Sequence, residues 1–191
     1  YNNSKYCNIS YNLTNGEVKK LPKMNIPRFD AGLCYSDKYG LICVGGKSSI
    51  TGGREKCRYY ANVEQLQFDC NTDIKKWKST PNMSMERYGT SCLILDNDDK
   101  MIVCGGKIGI TDNGMADSWD YTNLCELYDF IECKWTKMDD VPFEISGNGS
   151  LIQSKHLNNN IVGLYGHQCM KFDFNKNKWY SLPDTNNEYE S

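Results

Sequence analysis

Apolar residues in this chain of 191 residues fall into short runs, each closed by polar or glycine-rich punctuation. Three of the runs show no alternation: Leu41–Val44, Met101–Cys104 and Ile161–Leu164. Short continuous runs bounded by turns predict strands buried on both faces. Each follows a β-prone stretch (Ala31–Tyr35, Thr90–Leu95, Gly149–Ile152), and in the first two a polar turn intervenes at Asp37–Gly40 and Asp96–Lys100. Downstream, Val63–Phe68 and Leu124–Tyr128 alternate and predict a third strand. A fourth is expected around a tryptophan, at Lys75–Lys78, Cys133–Thr136 and Lys178–Ser181.

The same punctuation recurs in register. Gly45-Gly46, Phe68-Asp69 and Trp77 are followed by Gly105-Gly106, Tyr128-Asp129 and Trp135, then by Tyr165-Gly166, Phe172-Asp173 and Trp179. Gly45, Gly105 and Tyr165 are 60 positions apart each time. A fixed period marks repeated residues as scaffold first. Asp69, Asp129 and Asp173 suit tight turns, where an Asp side chain bonds its own downstream backbone. Four strands joined by hairpins make one small antiparallel sheet per unit, and such a sheet must stack on neighbours to cover its faces.

The order of short strand, strand ending in Gly-Gly, aromatic-Asp turn and Trp strand resembles the kelch repeat. In that family each repeat is one blade of a β-propeller. The entry segment Pro81…Met85-Glu86-Arg87-Tyr88-Gly89-Thr90-Ser91 is similar to the family's approach to its innermost strand. The resemblance spans about residues 25 to 184 and implies an all-β fold, a partial ring of four-stranded antiparallel blades at 25–80, 81–138 and 139–184, with a tail at 185–191. Residues 1–24 match the closing half of an upstream blade, with Tyr11-Asn12 in the aromatic-Asp position and Val18 where the Trp belongs. The third unit departs from the pattern, with Tyr165-Gly166 for Gly-Gly and no Arg-aromatic pair like Arg28-Phe29 or Arg87-Tyr88. Propellers close with four to eight blades. Three blades and a strand pair therefore predict an arc, completed by further blades of a longer polypeptide or by another chain. The start at Tyr1, without an initiator Met, points the same way.

A formal net charge of −2 argues against wholesale binding to nucleic acid or anionic membranes. No apolar stretch approaches the roughly 18 residues of a membrane span. Ten cysteines contain no Cys-x-x-Cys pair, and His156 and His167 are the two histidines, so neither a metal nor any other cofactor is expected. Cys43, Cys92 and Cys104 lie within apolar runs and read as small buried hydrophobes, whereas Cys57 and Cys125 lie in or near longer loops and have the chance to pair in an oxidising compartment. Reduced thiols and a cytoplasmic protein are the expectation. Five glycosylation sequons, at Asn2, Asn8, Asn12, Asn82 and Asn148, carry the alternative of a secreted or surface glycoprotein.

Variation between the units directs attention to the connection between second and third strands. It runs from Lys47 to about Asn62 in the first unit and from Lys107 to about Asn123 in the second, but shrinks to about His167–Cys169 in the third. Insertions in repeats tend to emerge on one face, often the binding face. The first connection is basic and aromatic, with Arg54, Arg58, Tyr59 and Tyr60; the second is acidic and aromatic, with Asp117, Trp119 and Tyr121. Such side chains dominate interface hot spots. With Arg28 and Arg87, which recur at the blade entries, they form the candidate partner-binding set. The competing expectation is that the two loops pack on each other across adjacent units. The reading is of a non-catalytic protein-interaction scaffold or adaptor with a protein partner. Enzymes on this architecture, such as the galactose-oxidase-like ones, would need a copper centre built from Tyr and His. Sialidase-type chemistry would need an arginine cluster, and the chain has four Arg.

Overall fold

The computed structural model describes residues 9–50, 56–67, 76–96, 99–110, 118–145, 149–153 and 160–183. Among them there is no helix, and every regular element is a strand. The strands are β1 (Ile9–Tyr11), β2 (Val18–Lys20), β3 (Gly32–Ser36), β4 (Gly40–Val44), β5 (Lys47–Ile50), β6 (Lys56–Tyr59), β7 (Val63–Gln67), β8 (Lys76–Thr80) and β9 (Ser91–Ile94). They continue as β10 (Lys100–Cys104), β11 (Lys107–Ile110), β12 (Ser118–Tyr121), β13 (Cys125–Asp129), β14 (Lys134–Lys137), β15 (Ser150–Gln153), β16 (Ile161–Tyr165), β17 (Gln168–Asp173) and β18 (Lys178–Leu182).

Three antiparallel sheets of four strands result, in the orders β3-β4-β7-β8, β9-β10-β13-β14 and β15-β16-β17-β18. The expected strands all form, shifted by a residue or so at their ends. Two-stranded hairpins make up the rest, β1-β2, β5-β6 and β11-β12. The last two occupy the connections read from sequence as loops. Those connections pair in register, with Lys47 opposite Tyr59 and Lys107 opposite Tyr121.

The sheets stack in chain order, with β3 and β15 each packed against β9. Strand β10 serves both neighbours. Met101 and Val103 join Ile42, Val44 and Val63 in the core between the first two sheets. Ile102 and Cys104 join Leu151, Ile161 and Phe172 in the core between the second and third. Burial on both faces thus holds for β10. It fails for β16, whose Leu164 is 45% exposed because no further sheet among the described residues covers that side. At the other end Leu33 and Tyr35 of β3 are similarly open.

Turn chemistry follows the aromatic-Asp step. Asp129 Oδ1 accepts from the amides of Ile131 (2.9 Å) and Glu132 (3.0 Å), and Asp173 Oδ1 from Asn175 (2.9 Å) and Lys176 (3.3 Å). Asn12 does the same toward Thr14 at 2.8 Å, so the upstream hairpin uses the repeat's turn. The equivalent Phe68-Asp69 lies outside the described residues. Gly105 closes β10 at φ +61°, and a Cβ there would sit 2.3 Å from the Cβ of Ile145. The position has neither the space nor the backbone conformation for a side chain. The three repeat tryptophans pack as scaffold. Trp77 and Trp179 are buried and Trp135 half-buried. The indole N–H of Trp77 donates to the Pro22 carbonyl (3.0 Å) and that of Trp135 to Pro81 (2.8 Å).

Candidate functional site

The recurring arginines are not at a surface. Arg28 donates from Nη1 to the carbonyls of Gly45 (3.1 Å) and Asn62 (2.7 Å), and its Nη2 pairs with Glu64 Oε1. Arg87 repeats this with Gly105 (3.2 Å), Leu124 (2.8 Å) and Glu126 Oε2 (2.6 Å). Both guanidinium side chains are fully sealed from solvent. Burial pushes the Arg87 pKa down, and the Glu126 carboxylate opposes that shift. Each arginine ties its entry segment to the end of the second strand and to the third strand of its own sheet. Arg28 and Arg87 therefore leave the partner-binding set, because a guanidinium sealed from solvent and paired with a buried carboxylate is out of a partner's reach.

Glu64 and Glu126 were not legible as their partners. A glutamate in an alternating strand reads as solvent-facing, yet Glu64 also receives the amides of Asn25 (2.8 Å) and Ile26 (3.1 Å), and Glu126 that of Ser84 (3.1 Å). The available signal was recurrence, since Arg and Glu occur together in the first two units. The third sheet has neither. Its register places Met170 opposite Gly163, where the others place Glu64 opposite Cys43 and Glu126 opposite Val103.

Residues just outside these clamps form a row. The Lys47 ammonium lies 5.3 Å from the centre of the Phe29 ring and 4.1 Å from that of Tyr88. Lys107 lies 5.9 Å from Tyr88 and 5.1 Å from Tyr121. Cation and ring alternate across two sheets, all within the distance at which a ring quadrupole attracts a cation. Tyr59 of β6 stacks on Tyr88 of the next unit, with centroids 4.9 Å apart and planes 15° from parallel. Burial raises the pKa of both phenols, so they remain neutral. Lys47 also pairs with Asp30 at 3.1 Å.

The set from sequence is thereby divided. Tyr59 is buried in the stack and acts as packing, and Tyr60 is half-buried with its hydroxyl 2.7 Å from Ser48 Oγ. Tyr121 is half-buried beside Lys107. Arg58 is exposed on β6. Trp119 sits in β12 opposite Gly109, while Arg54 and Asp117 lie outside the described residues. Packing between units does occur, through Tyr59 on Tyr88, although no ion pair joins the two hairpins among the described residues. Sequence reading missed Lys47 and Lys107, which follow the two Gly-Gly pairs at identical spacing and were legible on that ground.

A concavity of about 370 Å³ opens where the three innermost strands begin, lined by residues that include Asp30, Gly32, Thr90, Ser91, Gly149 and Ser150. Small residues and hydroxyls predominate in its walls, with Leu33 and Leu151 beside them. Among the described residues no three His, Cys, Asp or Glu side chains gather as a metal site.

No protein-family model and no curated protein matches the chain. Among solved structures, one described as the structure of YjhT aligns with a TM-score of 0.63 at 12% identity, over 87% of this chain and 54% of that one. The likeness is one of fold. The chain thus spans about half the length of that structure.

Proposed function

We propose that the chain is an arc of a kelch-type β-propeller acting as a non-catalytic protein-interaction scaffold. The three four-stranded sheets with adjacent innermost strands support the propeller reading, as do the glycine-closed second strands. The observation that carries the functional reading is the pair of hairpins β5-β6 and β11-β12. They extend from equivalent places on adjacent sheets, are absent from the third, and differ in charge. Their bases are anchored by the row of lysines and rings. Arg58, with the residues connecting the strands of each hairpin (51–55 and 111–117), is the segment on offer to a partner. Arg54 and Arg58 of the first hairpin suit acidic groups on a protein partner.

The apolar residues at the two ends, Leu33 and Tyr35 on one side and Ile152 and Leu164 on the other, support completion of the ring by more sheets, in the same polypeptide or in another chain. Replacing 51–55 and 111–117 with Gly-Ser of equal length leaves the anchoring row in place. Such a variant is expected to lose the partner recovered from cell extract by the parent chain; undiminished recovery would overturn the assignment.

A further inference from the structure

Cys104 and Cys125 stand directly opposite each other on β10 and β13. The amide of Gly105 donates to the Leu124 carbonyl at 2.9 Å, so the neighbouring pair is the hydrogen-bonded one. Pair types alternate along an antiparallel ladder, so Cys104 and Cys125 occupy the close type, with Cα atoms about 4.5 Å apart. That lies within the Cα span of roughly 4.4–6.8 Å that a disulfide accepts. The two sulfurs are 2.7 Å apart, and both residues are fully buried between the second and third sheets.

The scaffold does not demand sulfur there. The first unit places Val44 opposite Val63, and the third places Leu164 opposite Cys169. Apolar volume is the common requirement, and only the second unit meets it with two thiols. Cys57, which the sequence offered alongside Cys125 as able to pair in an oxidising compartment, is instead packed beside Tyr59 and Tyr88.

We infer that Cys104 and Cys125 are a cross-strand disulfide site, closed by exchange with a low-molecular-weight disulfide as the chain folds. One cysteine thiolate attacks the oxidant disulfide, releasing one small thiol and leaving a mixed disulfide. The second thiolate attacks the protein sulfur of that mixed disulfide and displaces the other small thiol. Two protein thiols are oxidised and one small disulfide is reduced to two thiols. Burial raises the Cys104 pKa, which disfavours the thiolate in the folded chain, so exchange belongs to the stage before the third sheet closes over the pair. This inference does not rest on the proposed scaffold role.

Refolding the chain from denaturant in a mixture of oxidised and reduced glutathione tests the site. Peptide mapping is expected to recover one crosslinked peptide joining Cys104 to Cys125. The thermal midpoint is expected to lie about 5–10 °C above that of the same protein held in reductant. A C104V/C125V variant copies the Val44–Val63 pair, so it is expected to fold and to lose that reductant-dependent shift. Recovery of both cysteines as alkylated free thiols, or of either crosslinked elsewhere, would overturn the inference. The peptide map reads this out on the unaltered chain.

Discussion

Glu126 Oε2 stands 2.6 Å from Arg87 Nη2, and neither side chain has contact with solvent beyond a trace on the glutamate. The pair closes a span of 39 residues between an entry segment and the third strand of its sheet. Removing one partner leaves a buried charge uncompensated, which costs about 3–5 kcal/mol. Glu126→Gln is therefore expected to lower the unfolding free energy by about that amount. The double variant Arg87→Leu/Glu126→Met, which takes from the third unit the methionine that stands at the glutamate position (Met170), is expected to regain more than half of the loss. Urea unfolding of the three proteins measures both; a double variant as unstable as the single one would contradict this account.

The tryptophans separate by their indole N–H. Trp77 and Trp135 donate to Pro22 and Pro81, whereas the buried Nε1 of Trp179 has no partner among the described residues. A hydrogen bond contributes about 1 kcal/mol net, and an orphaned buried donor is itself a cost. Trp135→Phe is expected to destabilise by about 1 kcal/mol more than Trp179→Phe, read as the difference in thermal unfolding free energies. Equal losses would show that ring volume alone decides.

Two glycines at nearly the same φ provide a second contrast. Gly105 (φ +61°) faces Ile145, while Gly166 (φ +62°) has nothing within 4 Å of where a Cβ would stand. Gly166→Ala meets only the left-handed backbone, at about 1–2 kcal/mol. Gly105→Ala adds a clash in the core, so its chemical-denaturation midpoint is expected to fall well below that of Gly166→Ala. Matching midpoints would remove the packing argument.

Alkaline stability is expected to depend in part on Cys43. Burial pushes its thiol up to about 12 from an ordinary value of 9.0, with Arg28 opposing the shift. Above 9.0 the unfolded chain has released a proton that the folded chain retains, so stability falls as pH rises toward 12. Cys43→Val removes this contribution. The wild-type unfolding free energy is expected to decline more steeply above pH 9.0 than that of the variant, and parallel slopes would rule it out.

Strands such as Leu41–Val44 and Met101–Cys104 were legible because a continuous apolar run between turns has few alternatives to a buried strand. The hairpin strands were not. Lys47-Ser48-Ser49-Ile50 carries no run and no alternation, and it is held in register by pairing with Lys56–Tyr59. Arg28 and Arg87 misled for a related reason. Sequence shows a charge, while its burial depends on glutamates 36 and 39 residues away. Candidate contact residues are visible as types, Arg, Tyr and Trp, but their exposure is settled by which neighbour each ring meets. Tyr59 and Arg58 are adjacent in sequence and differ entirely on that count.

In β10 the parity of a residue's position decides whom it serves. Odd-numbered Met101 and Val103 belong to the first sheet's contacts, and even-numbered Ile102 and Cys104 to the third's. The middle sheet is thus shared property in alternate slices, and a change at one residue is felt on one side while its neighbour reports on the other. A chain built this way can drift at either end without the ends hearing of each other. Its central strand is held to two masters at once.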